Sequence, residues 1–287
     1  MVNTKALGAA VAVALSSAGI AQGSLVGQWI ADNYTDGGAT WTDSSGKANH
    51  GNGVGTGSLT TTAGAFNGHK SINFAGGDGA AAGGFFTVAN NPTPQGTLGA
   101  TGLTLVAVFR TSTPNTSVGG QFWQKAGMIG NEQGGAVTDW GLGMGASQVD
   151  MGVGAPDSTI VASGSQDDGA THVAIGTWDT SGAMTLYVDG VQLAQNLASP
   201  TAARSSTGFA GFALGASVAA QNGDLHIFNG QIAELRVYDD NAQDIGALTS
   251  TLRTTYVPEP AAAGLLAGGG LGLLTRRRRT RATSRVT

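Results

Sequence analysis

Cysteine is absent from this chain, which removes disulfide frameworks, thiolate metal sites and a cysteine nucleophile together. Charge is thin as well, at 11% of residues, and glutamate occurs only at Glu132, Glu234 and Glu259. A retaining glycosidase needs two carboxyl groups roughly 5–5.5 Å apart, and side chains two residues apart on a strand share a face, so an E-x-D-x-E array is the local signature to look for. The sequence has none. An aspartate pair drawn from separate strands is left open by spacing alone. The histidines, His50, His69, His172 and His226, show no H-x-H or H-x-x-x-H spacing, and no serine sits in G-x-S-x-G, so zinc and serine-hydrolase patterns are missing too.

What is present points to strands. The 287 residues include 48 glycines and 41% hydrophobic residues. Glycine is unfavourable inside helices, whereas clusters of Thr, Val, Gly, Asn and Asp suit short strands joined by turns. In residues 171–190, THVAIGTWDTSGAMTLYVDG, Val173 and Ile175 alternate with small or polar neighbours, as do Leu186 and Val188. That two-residue period marks half-buried strands. Asp179-Thr180-Ser181-Gly182 and Asp189-Gly190 supply the turns, which predicts a three-strand antiparallel meander ending in Val191-Gln192-Leu193. Gly102 to Arg110, GLTLVAVFR, alternates in the same way and reads as a central strand. His172 reads as a strand residue. Near the end, Asp240 or Asn241 is positioned to cap a short helix with Ile245, Leu248 and Leu252 on one face.

Both ends read as addresses. Lys5, the small apolar run Ala6–Leu15 and the small residues of Gly19-Ile20-Ala21 form a secretory signal pattern, with cleavage expected after Ala21 and Ala18 as the alternative. At the other end Val257-Pro258-Glu259-Pro260 precedes an apolar stretch from Ala261 to Leu274 and then Arg276, Arg277, Arg278, Arg279 and Arg281. As a helix those apolar residues would rise about 21 Å, short of the roughly 30 Å hydrocarbon core, and the arginines hold that end on the cytoplasmic side. The order of Pro-Glu-Pro, apolar segment and arginine cluster resembles the PEP-CTERM sorting signal. The resemblance implies recognition by an exosortase after passage through the signal-peptidase route, with a transient inner-membrane stage. Without these ends the body keeps seven basic residues against 17 acidic ones, a net charge of −10, which excludes nucleic acid as a partner.

The body carries a second resemblance. H-V-A-x-G-T-W-D-x-x-G-x-M-T-L-Y-V-D-G, the opening W-x-A-D…W-x-D-S-S-G-x-x-N-x-G, D-W-G-L with G-A-P-D, Asp168-Gly169, and F-N-G-Q-I-A-E-L-R-V-Y together resemble the laminin-G-like jelly rolls of the concanavalin A-like lectin and glucanase group. The resemblance implies an all-β fold, a two-sheet antiparallel jelly-roll sandwich with a short C-terminal helix, flanked by the signal and membrane-sorting helices. With no carboxylate array in the sequence, the expected product is a non-enzymatic domain at the cell surface or in the extracellular matrix, contacting polysaccharide or a surface protein; the alternatives are a structural matrix component without a small ligand and a divergent glycan hydrolase or lyase. Expected segments are 1–21 signal peptide, 22–256 jelly-roll domain, 257–281 sorting signal and 282–287 tail. Such domains often hold calcium at the sandwich rim. Here the aspartates expected in two motifs are Ala75 and Ala233, which leaves Asp78 and Glu234 as substitute ligands. Trp29 and Trp178, on predicted strands, are expected in the core. Trp41, Trp123 and Trp140 are the candidate platforms for a sugar ring.

Overall fold

A computed structural model describes residues 24–258 apart from 79–82, 90–98, 118, 133–137, 205–210 and 220–223. The predicted signal segment with Ala21, and the sorting segment from Glu259 onward with Pro260, Arg276, Arg277, Arg278 and Arg279, lie outside the described residues. The strands are β1 (Leu25–Ile30), β2 (Thr40–Trp41), β3 (Gly51–Val54), β4 (Thr60–Gly64), β5 (Gly68–Asp78), β6 (Phe85–Ala89), β7 (Gly102–Arg110), β8 (Ala126–Asn131) and β9 (Trp140–Gly145). They continue with β10 (Gln148–Val153), β11 (Ser158–Val161), β12 (His172–Asp179), β13 (Met184–Val188), β14 (Val191–Asn196), β15 (Gly211–Leu214), β16 (Ala216–Ala219) and β17 (Asp224–Tyr238), before helix α1 (Ile245–Tyr256).

These strands form the expected jelly-roll-like sandwich. The first sheet runs β14-β13-β12-β7-β17-β5-β4, with β1 and β16 also pairing β17; the second runs β11-β10-β9-β8-β15-β6-β3-β2. The predicted meander is β12-β13-β14, antiparallel throughout. Its second turn has Asp189 at φ 53° and Gly190 at φ 84°, the pair of positive angles a type I′ hairpin requires.

The core lies between the sheets. Leu103, Leu105, Ala107 and Phe109 of β7 enter it beside Trp29, Trp140 and Trp178. The opposite face of β7 is buried too, because Val106 and Val108 join Val173, Ile175 and Ala233 beneath Leu252 and Tyr256 of α1. A second apolar layer under a helix therefore replaces the half-wet face that alternation alone suggests. The helix is capped by Asp244, whose carboxylate accepts from Ala247 N at 2.9 Å. Asp240 and Asn241 are engaged in the preceding turn: Asp240 accepts from Ala242 N and Asn241 donates to Asp179. The expected cap is thus displaced by a few residues.

On the outer face of the second sheet one row has no side chains. Gly130, Gly141 and Gly152 stand in register across β8, β9 and β10. Phe122 lies on that row, and a Cβ at Gly152 would come within 2.3 Å of its ring. Beside it Lys125 reaches Asp150, its Nζ 3.9 Å from the carboxylate. Burial pushes that carboxyl up to about 7 despite the ammonium nearby.

Candidate ligand-binding groove

On the outer face of the first sheet a row of polar side chains runs across adjacent strands. Register pairs Arg110 of β7 with Gln231 of β17, Gln231 with Asn73 of β5, and Asn73 with Thr60 of β4. Side chains opposite one another in a ladder are near neighbours, and here they bond in series. Arg110 Nε and Nη2 donate to Gln231 Oε1 at 3.0 and 2.5 Å. Gln231 Nε2 donates to Asn73 Oδ1 at 2.9 Å, and Asn73 Nδ2 donates to Thr60 Oγ1 at 2.9 Å. Each amide is oriented by the one before it, so the row is rigid without being buried.

At the end of this row the surface opens into a groove of about 440 Å³, lined by Asn73, Phe74, Arg110 to Thr113, Gly169 and Asn229 to Gln231. Gly230 makes the shape possible, since a Cβ there would lie 2.6 Å from the Arg110 carbonyl oxygen. Across the groove Asn229 Nδ2 donates to Thr113 Oγ1 at 2.9 Å, and Asn115 Oδ1 accepts from Asn229 N at 2.6 Å. Gly169 N donates to Thr111 O at 2.9 Å and holds the rim.

The rim is braced by His172. Its Nδ1 lies 2.9 Å from Asp189 Oδ2 and its Nε2 lies 3.0 Å from Asp168 Oδ1. Arg253 of α1 meets Asp189 on its other oxygen at 2.9 Å. Burial opposes charging of the imidazole, but the two carboxylates outweigh it and raise the pKa above its usual value. A backbone N–H from Ala170, together with His172, holds Asp168 below the ordinary carboxylate range. His172 is thus a strand residue as expected, tying the loop that carries Gly169 to a hairpin and a helix.

The predicted site residues fall elsewhere. Trp41 and Trp140 are fully buried, which corrects their expected role as sugar platforms: neither offers a ring face to solvent. Trp41 packs 5.4 Å from Phe86 and donates to Ile30 O, while Trp140, expected in a polar loop, opens β9 and packs 5.5 Å from Phe212. Trp123 is half-buried, with its indole N–H on Asp157 Oδ2 at 2.8 Å. Trp29 and Trp178 are in the core as expected.

The calcium pair does not assemble. Asp78 pairs in register with His226, eight residues along β17 from Glu234, a separation of roughly 25 Å at strand rise. Glu234 is 1% exposed and is already engaged by Gln28 Nε2 at 2.6 Å and Arg236 Nε at 2.5 Å. Such a neutralised carboxylate does not suit a hard divalent cation. Among the described residues no three acidic, histidine or cysteine side chains are grouped to hold a metal.

With this geometry in hand, comparison with known proteins gives one family. The model described as "Concanavalin A-like lectin/glucanases superfamily" (Laminin_G_3) matches residues 87–244. Comparison with curated proteins finds no match. Among solved structures, domain 4 of AbnA, a GH43 extracellular arabinanase from Geobacillus stearothermophilus solved in complex with arabinotriose, is 16% identical with TM-score 0.54, covering 80% of this chain and 98% of that one. The binding domain of botulinum neurotoxin serotype C1 is 13% identical with TM-score 0.54, covering 80% of this chain and 52% of that chain. The binding domain of Paraclostridial Mosquitocidal Protein 1 is 10% identical with TM-score 0.56, again covering 80% and 52%. The chain spans about half the length of those toxin domains. At such identities the likeness is one of fold.

Proposed function

This chain belongs to the concanavalin A-like lectin/glucanases superfamily, and from that premise we propose that it is an exported, non-enzymatic surface or matrix domain that binds polysaccharide through the groove beside Gly230. The observation that carries the reading is the chemistry of the lining. It offers amides, hydroxyls, peptide groups and a guanidinium, but no carboxylate or imidazole. Amides both donate and accept, as sugar hydroxyls do, and the relay through Gln231 and Asn73 fixes their orientation before a ligand arrives. Glycoside cleavage needs a general acid and a second carboxylate, so a lining of this kind suits retention rather than turnover. The complex of the similar arabinanase domain with arabinotriose favours a saccharide over other ligand classes.

The proposal extends to delivery. Residues 1–21 act as a signal peptide cleaved after Ala21, with Ala18 as the alternative; 22–256 form the domain; and 257–281, from Pro258-Glu259-Pro260 to the Arg276–Arg279 cluster, direct sorting by an exosortase, with 282–287 as a tail. Trp123 keeps a secondary claim to ligand contact, as the half-exposed tryptophan of the three. The exported product's mass tests both ends.

Affinity electrophoresis through gels cast with single polysaccharides tests binding. Retardation by at least one polysaccharide is expected, weakened about tenfold in the Asn73→Ala/Gln231→Ala double variant, which corresponds to about 1.4 kcal/mol, with melting nearly unchanged. No retardation by any polysaccharide would leave a structural matrix component in place of a binding domain.

A further inference from the structure

Three of the seven lysines and arginines among the described residues stand against acids. Arg236 meets Glu234, Arg253 meets Asp189, and buried Lys125 lies by Asp150. Arg110 differs. Its guanidinium meets the neutral amide oxygen of Gln231 and the ring of Phe66, 5.1 Å below the guanidinium carbon. No carboxylate among the described residues forms an ion pair with it. An amide orients a guanidinium without neutralising it, and only two of its five N–H donors are used by Gln231. The remaining fork belongs to a side chain that lines the groove. Asp168, next to Gly169 on the rim, is occupied by Ala170 N and His172.

We infer that the groove takes a saccharide bearing a carboxylate, a uronate unit of an anionic polysaccharide, with Arg110 as the residue that selects the acid group. Guanidinium matches a carboxylate with two parallel N–H···O bonds, which a neutral sugar cannot use in the same way. Asn229 and Thr113, bonded to each other across the groove, keep further donor and acceptor capacity for the ring hydroxyls. The acidic body does not prevent this: at physiological salt charges beyond about 8 Å are largely screened, whereas a contact pair is not. Selection is therefore local, by one fixed cation on an otherwise acidic domain.

This inference rests on the saccharide-binding reading, and the test separates the two. Calorimetric titration at about 0.15 M salt compares an oligogalacturonate with its methyl ester of equal length. The native protein is expected to bind the acid about ten- to a hundredfold more tightly. Arg110→Gln abolishes that preference, and Arg110→Lys, which keeps the charge but loses the fork, retains part of it. Gln231→Glu sets an acid against the guanidinium and also abolishes the preference while leaving Arg110 in place, so a folding defect in one variant does not decide the matter. Equal affinity for acid and ester, or a preference that survives in both Arg110→Gln and Gln231→Glu, overturns the inference. Binding of neutral polysaccharide without binding of the uronate overturns it while sparing the wider reading; failure of every saccharide overturns both.

Discussion

On the first sheet Arg110, Gln231 and Asn73 stand in register across β7, β17 and β5, and on the second Gly130, Gly141 and Gly152 stand in register across β8, β9 and β10. Both rows lie on an outer face. The first keeps its side chains and leaves them wet, bonded to one another but accessible. The second has given its side chains up, and the chain's own Phe122 fills the space. The same ladder geometry thus yields a contact surface on one side and a sealed wall on the other. Glycine is abundant here partly because a wall of this kind needs it: backbone approaches an aromatic ring closely, and a Cβ at Gly152 would collide with it.

The largest effect expected from this contrast falls on the wall. Phe122→Ala removes the roof from the glycine row and should cost about 3–5 kcal/mol of stability, read by urea denaturation, with groove affinity unchanged in whatever fraction stays folded. Loss of affinity without loss of stability would reverse the assignment of the two faces.

A second effect is one of pH and belongs to the brace behind the groove. His172 is charged more readily in the folded state than its ordinary value of 6.5. Its contribution is therefore complete below about pH 6.5 and is lost as pH rises through the higher folded value. Asp168 and Asp189, both lowered from 3.8, contribute above that value and lose their contribution as pH falls through the lowered ones. Melting temperature of the native protein should fall between neutral and mildly alkaline pH by a component absent from His172→Gln. An identical profile in the two proteins would remove the brace from the account.

The smallest effect concerns Trp123. Its indole N–H is held by Asp157, but the ring lies near the wall rather than the groove. Trp123→Ala should weaken polysaccharide retention by about two- to tenfold, since one ring contact is worth about 0.5–1.5 kcal/mol. A loss larger than that of the Asn73/Gln231 pair would move the binding surface to the second sheet.

The sequence made local features legible and left assembled ones dark. The β12–β14 meander and its Asp189-Gly190 turn follow from alternation and turn chemistry, which act within a few residues. Burial of both faces of β7 does not, because Val106 and Val108 are covered by α1, more than a hundred residues further along the chain. Trp140 misled for a related reason: in W-G-L-G-M-G the outward positions are glycine, so the strand carries no polar alternation and resembles a loop. The groove was the least visible feature. Arg110 ends a recognisable strand, but its partner Gln231 is 121 residues distant and Asn73 is 158 residues from Gln231. Only register brings them side by side. Asp78 and Glu234 stood out through nearness to altered family motifs, and that register separates them.

Proton–nitrogen correlation spectra of the labelled protein, titrated with a polysaccharide fragment that retards it in gels, test the central claim most directly. Shifts should concentrate at Asn73, Arg110, Thr113, Asn229 and Gln231, with the side-chain amides of Asn73 and Gln231 among the most displaced and the glycines of β8 to β10 still. Shifts gathered around Trp123 and those glycines, with the first sheet's row unmoved, would contradict it.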